Sequence, residues 1–251
     1  MRPLTWFAVG IYAFLHVPLL ILCAFSFNSS RFTIWEEFSL EWYRQMFTDA
    51  QLGEAALNSL LIAAASTVLA TVIGTLCSYG LWKKQAKWLS GSLYLSLVTP
   101  EIISGISLLA FFQWAFRHWQ FQLGMHTVIL AHVAFSISYV VLVVMARLRT
   151  AEPALEEAAL DLGANEWQAF WLVTLPMLRP GIMAAALLAF TVSFDDYVIT
   201  SLVAGVDSET LPMVLYAMAR RGANPVVSAI SALIFVGFGA LILISERLQK
   251  T

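Results

Sequence analysis

Apolar residues along this chain gather into six long runs, at positions 6–27, 57–81, 91–116, 124–146, 181–204 and 226–245. About 18 such residues suffice for a helix to cross the hydrocarbon layer of a bilayer. The pattern therefore predicts an all-α integral membrane protein with six transmembrane helices, in one membrane domain over all 251 residues. The first run is too long for the core of a signal peptide and no small-x-small cleavage site closes it, so it reads as a retained helix. Composition agrees: 60% of residues are hydrophobic, 12% are charged and the mean hydropathy is +0.78, where a soluble domain carries roughly 25% charged residues.

Between the fourth and fifth runs the pattern changes. Positions 147–180 form a polar island that spells two short helices with a break. Pro153 suits a first helical turn, and the residues up to Leu162 are good helix formers. Gly163 stops that helix. Asn165 caps a second one, with Gln168 three residues on completing a capping box. Leu175-Pro176 is expected to end it, because the residue before proline is pushed out of the α region. Leu155, Ala158, Ala159 and Leu162 lie on one face, with Glu156, Glu157 and Asp161 beside them.

The residues Glu157-Ala158-Ala159, then Gly163, then Leu175-Pro176, resemble the EAA loop of ABC-transporter permeases of the importer kind. Val173 stands where that pattern usually has Ile. The resemblance implies the all-helical type I importer fold, with 147–180 as a cytoplasmic coupling helix in a groove of an ATPase subunit. Glu157, Ala158, Ala159, Gly163, Leu175 and Pro176 would carry that coupling.

Lys and Arg set orientation in membrane proteins. With both termini in the cytoplasm, nine of these residues fall inside (Arg2, Lys83, Lys84, Lys87, Arg147, Arg149, Arg179, Arg247, Lys250) and five outside (Arg31, Arg44, Arg117, Arg220, Arg221). This places 147–180 on the cytoplasmic side, in agreement with the resemblance.

Chemistry inside the spans is sparse. There is no Walker A pattern, HExxH or GxSxG, so neither ATP hydrolysis nor another enzymatic activity is expected of this chain. The net charge of −2 gives no reason to expect nucleic acid. Cys23 and Cys77 form no metal or redox motif, and His16 and His132 are expected to bond neighbouring helices. Three acids do stand within apolar runs: Glu101, Asp195 and Asp196. An ionised carboxylate at mid-bilayer costs roughly 2.5–3.5 kcal/mol, so these must face protein or water. No Lys or Arg lies within a span to pair with them. That pattern suits a passing cation. Asp195 and Asp196 point about 100° apart on a helix. One is expected to face the path and the other to bond a neighbouring helix. Pro100 is expected to break or kink the third span and free carbonyls for a cavity. Trp114, Tyr197 and Phe190 are candidates for cation–π contacts.

Ser26-Phe27-Asn28-Ser29-Ser30, Thr99-Pro100-Glu101-Ile102-Ile103, the stretch from Leu188 to Asp196, and Thr210-Leu211-Pro212 are similar to spermidine/putrescine import permeases. That family often has Asp where Glu101 stands. The resemblance implies a bacterial inner-membrane subunit forming half of a polyamine pathway. Its partners would be a second permease subunit, two ATP-binding subunits and a periplasmic polyamine-binding protein. Cofactors are expected only there, as ATP and Mg on the ATPase. A permease of the same build for another solute, such as an iron chelate or thiamine, is the alternative. An anion path would instead show Arg or Lys inside the spans. A membrane-embedded enzyme would need a nucleophile–base pair or metal cluster.

Overall fold

Twelve helices account for nearly all of the regular structure in a computed structural model, which describes residues 2–31, 34–84, 87–120, 122–222 and 224–250. The side chains of Arg2, Lys87, Arg247 and Lys250, four of the nine cations that set the orientation, lie outside the described residues. In chain order the helices are α1 (Arg2–Phe25), α2 (Glu41–Thr48), α3 (Ala50–Lys84), α4 (Lys87–Val98), α5 (Glu101–Trp119), α6 (Met125–Thr150), α7 (Pro153–Asp161), α8 (Glu166–Ala169), α9 (Leu175–Asp195), α10 (Val198–Val203), α11 (Leu211–Arg220) and α12 (Pro225–Lys250). Among the described residues no strand forms, and four helical stretches are long and apolar enough to cross a membrane, or five if the bent pair α4–α5 is one span. The chain divides into two compact units, Met1–Glu54 with Val214–Thr251, and Ala55–Met213.

In the first unit α12 packs on α1 and α2. Asn28 organises the turn after α1. Its side chain donates to Ile34 O (2.8 Å) and accepts from Glu36 N (3.0 Å), while its carbonyl takes the indole N–H of buried Trp42 (2.7 Å).

The second unit holds the core. Its centre is α6, whose Val128, His132, Ser136, Val140, Val144 and Leu148 recur every four residues and are all buried. Lipid gives helices no hydrophobic reason to associate, so close contact depends on small side chains. On α3 the matching row is Ser66, Ala70, Gly74 and Ser78, also buried and also four apart. A Cβ on Gly74 would come within 2.6 Å of Val140 Cγ1, which is why that position has none. Ala70 joins Val140, Val144 and Leu148 of α6 and Leu178, Ala185 and Ala189 of α9 in one cluster. Ile62, Phe112, Val128, Ala131, Ile199 and Val203 make a second.

Two apolar runs, the third at the break expected of Pro100, and the polar loop depart from uninterrupted helices. The third is two helices meeting at 106° around Thr99-Pro100. Proline removes a backbone donor and excludes its neighbour from α geometry, and here it sits as N-cap of α5. The fifth stops at Asp195, turns through an extended Asp196 (φ −67°, ψ 124°) and resumes as α10. Glu101 therefore opens a second helix and Asp195 ends one. In the loop, the helix after Asn165 does not end at Leu175-Pro176. It runs from α8 through a π-helical turn (Phe170–Thr174) directly into α9, with Leu175 in αR geometry. A wide turn of this kind is a known way of taking a break into a helix ladder, and here it stands immediately before Pro176, whose missing N–H interrupts that ladder.

Candidate functional site

The breaks at Pro100 and Asp196 face one another across a cavity of about 460 Å³. Its wall includes Ser96, Leu97 and Thr99 from the end of α4, Glu101 and Ser104 from α5, Phe135 and Tyr139 from α6, and the segment from Asp195 to Ile199. Glu101, Asp195, Asp196 and Tyr197 thus share one space, and among the described residues no Lys, Arg or His lines it. The last carbonyls of a helix lack intrahelical partners and carry partial negative charge, so the end of α4 adds to the acids. Glu101 lies in the first turn of α5, where the positive end of the helix stabilises a carboxylate by roughly 0.3–1 kcal/mol. Neither Glu101 nor Asp195 forms a hydrogen bond or ion pair with a described residue, and both are exposed to the cavity side. Trp114 and Phe190 are not part of this wall. Trp114 sits near the far end of α5 against Phe111, His118 and Trp119, about 20 Å along the helix from Glu101. Phe190 stacks on Phe194, with ring centroids 6.0 Å apart.

Asp196 differs from Asp195. Its carboxylate accepts the amide and hydroxyl of Thr200, each at 2.7 Å, and the amide of Ile199 at 3.4 Å. It therefore satisfies the start of α10. Behind it lies His132 of α6, 1% exposed, with Nε2 3.4 Å from Asp196 Oδ2 and 2.9 Å from Thr200 Oγ1. The Thr200 hydroxyl proton is committed to Asp196, so His132 Nε2 is the donor to Thr200. Its Nδ1 lies 2.7 Å from Ser193 Oγ, which is 2.9 Å from Ser66 Oγ on α3. This row closes in two ways. In one, Ser66 donates to Ser193 and Ser193 to a neutral His132. In the other, Ser66 donates to Ile62 O (2.7 Å), Ser193 to Ser66, and a protonated His132 to Ser193. The two differ by one proton beside Asp196. The run of apolar neighbours hid this role: His132 was legible only as a helix-bonding histidine, and nothing in the spacing pointed to Ser66, Ser193 or Thr200.

The polar loop has its own centre. Gly163 takes a positive φ of 92° between α7 and α8, and Asn165 and Gln168 exchange both bonds of a capping box, each at 2.9 Å. Glu157, Ala158 and Gly163 are exposed, while Ala159, Leu175 and Pro176 are half-buried. The neighbour of Glu157, Glu156, is the buried acid, 4% exposed. It accepts from Lys83 Nζ at 2.6 Å and Tyr79 Oη at 2.8 Å, both on α3, and from Thr174 Oγ1 at 2.8 Å in the π turn. Burial pushes its carboxyl up, but the hydrogen bonds from Lys83, Tyr79 and Thr174 and the Lys83 charge outweigh this and hold it below the usual glutamate range. Sequence spacing singled out Glu157. The burial of Glu156 depends on α3 arriving beside it, which local pattern does not encode.

The residues 66–250 match the model of the family described as binding-protein-dependent transport system inner membrane component. This chain belongs to that family. It is 39% identical over 236 residues to the putrescine transport system permease protein PotI of Escherichia coli, covering 91% of this chain and 84% of that one. It is 35% identical over 250 residues to the spermidine/putrescine transport system permease protein PotC of Haemophilus influenzae, covering 97% and 95%. Among solved structures it is similar to a chain of a bacterial alginate ABC transporter in complex with an alginate pentasaccharide-bound periplasmic protein, with a TM-score of 0.76, 16% identity and coverage of 98% and 92%. A chain of the MetNI methionine ABC transporter gives a TM-score of 0.68 at 19% identity, covering 82% and 96%. The membrane-spanning helices of an ABC importer permease are thus the fold of this family member.

The neighbouring acids separate in a melting experiment on the purified protein in detergent. Asp196→Asn keeps one acceptor oxygen but turns the other into an NH2 group that meets an amide or hydroxyl donor of Ile199 or Thr200, and lowers stability by roughly 1–3 kcal/mol. Asp195→Asn, which breaks no such bond, stays within about 0.5 kcal/mol of the parent. Equal melting temperatures for the two variants would contradict the division of roles.

Glu156 generates a pH prediction. Its folded value lies below its unfolded one, so its contribution is complete above the ordinary glutamate range and is lost as pH falls through the depressed value. Thermal stability followed from neutral pH through the ordinary glutamate value of about 4.3 and on down to about pH 2 should fall more steeply below that value in the parent than in Glu156→Gln. Parallel curves would mean that Glu156 adds no pH-dependent stability.

Proposed function

We propose that this protein is the membrane-spanning permease subunit of an ATP-driven ABC importer for a polyamine of the putrescine/spermidine class, forming half of the translocation pathway. It works with a second permease subunit, two ATP-binding subunits that hold ATP and Mg, and a periplasmic polyamine-binding protein. It sits in the bacterial inner membrane with both termini and the loop 147–180 in the cytoplasm. The chemistry of ATP hydrolysis resides in the partner.

The observation that carries the substrate class is the cavity at the two helix breaks. It gathers Glu101 and Asp195, both without a countercharge in its wall, beside the carbonyl end of α4. A polyammonium chain losing its water needs anionic and dipolar groups at more than one point, held loosely enough to let it go. Tyr139, Tyr197 and Phe135 add aromatic faces for an alkylammonium. The fold alone does not select a solute, since alginate and methionine transporters share it. The relatives named for putrescine and spermidine support the same class as the cavity.

For coupling, the exposed face of the loop supports docking to the ATPase. Glu157 and Gly163 lie open, with Leu162 90% exposed and Trp167 66% exposed beside them.

Uptake of labelled amines into proteoliposomes of the assembled transporter tests the substrate path. Glu101→Gln and Asp195→Asn keep size and remove charge. Each should slow putrescine and spermidine uptake about ten-fold or more, if one lost ion contact costs the passing amine about 1.5–3 kcal/mol, while the binding protein's own affinity is unchanged. Wild-type rates in both variants would reduce these acids to packing residues.

Orientation is tested by single cysteines in a background lacking Cys23 and Cys77. Leu162→Cys on the loop should be shielded from a membrane-impermeant thiol reagent in intact cells. Val206→Cys, at a fully exposed turn before α11, should react. The reverse pattern would invert the assigned topology.

A further inference from the structure

One helix is bonded both to the loop and to the residue two positions before the cavity acid Asp195. Near its end, α3 offers Tyr79 and Lys83 to Glu156 of α7, at 2.8 and 2.6 Å. About 20 Å earlier along the same helix, Ser66 bonds Ser193 of α9 at 2.9 Å. Ser193 bonds His132 and stands immediately before the segment that bears Asp195 and Asp196. The other side of this frame is α9 itself, which continues from the π turn carrying Thr174, the third group on Glu156. So α3 and α9 are fastened to each other at both ends, by Glu156 at the loop and by the Ser66–Ser193 bond at the cavity.

We propose that Glu156 is the coupling joint of this permease. It clasps α3 to the loop, so that a displacement of the loop carries α3 and α9 as one body and moves the acid-bearing wall of the cavity with them. This rests on the importer reading given above and extends it to a residue outside the exposed docking face. The loop is already continuous with α9, so α9 follows it by covalent connection. What only the joint supplies is α3. Three charged or hydroxyl donors converge on one carboxylate with 4% exposure, and Lys83 is further held over the rings of Tyr79 and Trp82 at 5.9 and 5.8 Å. A short, charge-assisted cluster transmits displacement with little slack. Without it the two helices can slide, and the loop moves α9 with its acids but leaves α3 behind, so the frame beside the cavity no longer moves as one body. Coupling of this kind needs an element that both sites bias, and the α3–α9 frame is that element.

The test uses the complete transporter with its ATPase and binding protein in proteoliposomes. It compares the parent with Glu156→Gln, Lys83→Gln and the conservative Lys83→Arg. Complex assembly, ATP hydrolysis and putrescine uptake are measured on each. In the two glutamine variants the expected outcome is normal assembly and continued hydrolysis, with putrescine imported per ATP reduced about five-fold or more. Lys83→Arg should restore most of that ratio. An unchanged ratio overturns the proposal, whether total activity holds or falls in step with assembly. In the latter case Glu156 is a folding anchor only.

A second measurement does not depend on the solute. Spin labels at Val68 on α3 and Leu188 on α9, both exposed, report the separation of the two helices without nucleotide and with a non-hydrolysed ATP analogue. The separation should stay constant in the parent and change between states in Glu156→Gln. Identical behaviour in both overturns the joint. A parent transporter that hydrolyses ATP but imports no putrescine would overturn the polyamine assignment instead, and leaves the spin-label result to decide the joint.

Discussion

A helix that breaks within an apolar run must find partners for the amides it uncovers, because lipid supplies none. That constraint shapes this protein more than any other. The Asp196 carboxylate answers it at one break by taking the amides of Thr200 and Ile199 together with the Thr200 hydroxyl. At the other break proline removes the donor altogether, and the chain resumes as α5. Because both breaks are resolved this way, their irregular backbone can border a cavity rather than lipid. His132, Ser193 and Ser66 then tie the first break to α6 and α3. The site is thus a by-product of how two interruptions are satisfied.

The same rule of geometry produces a division of labour twice. Adjacent residues point apart, by about 100° within a helix and differently where the chain leaves α9 at the extended Asp196, so of two neighbouring acids only one turns toward the protein. Asp196 is bonded and Asp195 is open. Glu156 is bonded and Glu157 is open. In each pair the buried acid holds helices together and the open one is left for a ligand or a partner surface. The cost of burying the first is offset by three donors in both places, which is the condition under which a buried carboxylate is tolerated.

The helices themselves meet through shape. The small residues Ser66, Ala70, Gly74 and Ser78 give α3 a flat row against the four-residue ladder of α6. Ser66 also belongs to the hydrogen-bonded row with Ser193 and His132 and Tyr79 follows Ser78, so the face that lets α3 pack is continuous with the residues that connect it to α9 and the loop. Packing and connection share one helix for a physical reason: without a hydrophobic drive, contact in lipid comes from close fit and from polar pairs placed within it.

Much of this was legible along the chain, because some signals are local. A break at Pro100, a glycine with positive φ at 163, and the Asn165–Gln168 capping box each follow from residues a few positions apart, as does the apolar length of the helices. The family pattern around Glu157 and Gly163 is local as well. What the chain could not state is which helix would lie beside which. The end of α9 at Asp195 is invisible in hydropathy, since the residues beyond it are as apolar as those before. The π turn at Phe170–Thr174 defeats the rule that a helix stops before Pro176, because a wider turn accommodates what an ideal one cannot. Trp114 and Phe190 read as neighbours of the acids, yet one is a helix length away and the other turns to Phe194. Glu156, His132 and Ser66 acquire their roles only from partners 18 to 127 positions distant. The chain itself determined that this is a membrane permease with unpaired acids; tertiary packing decided which acids stay unpaired, because pairing is a property of helices brought together and not of their order.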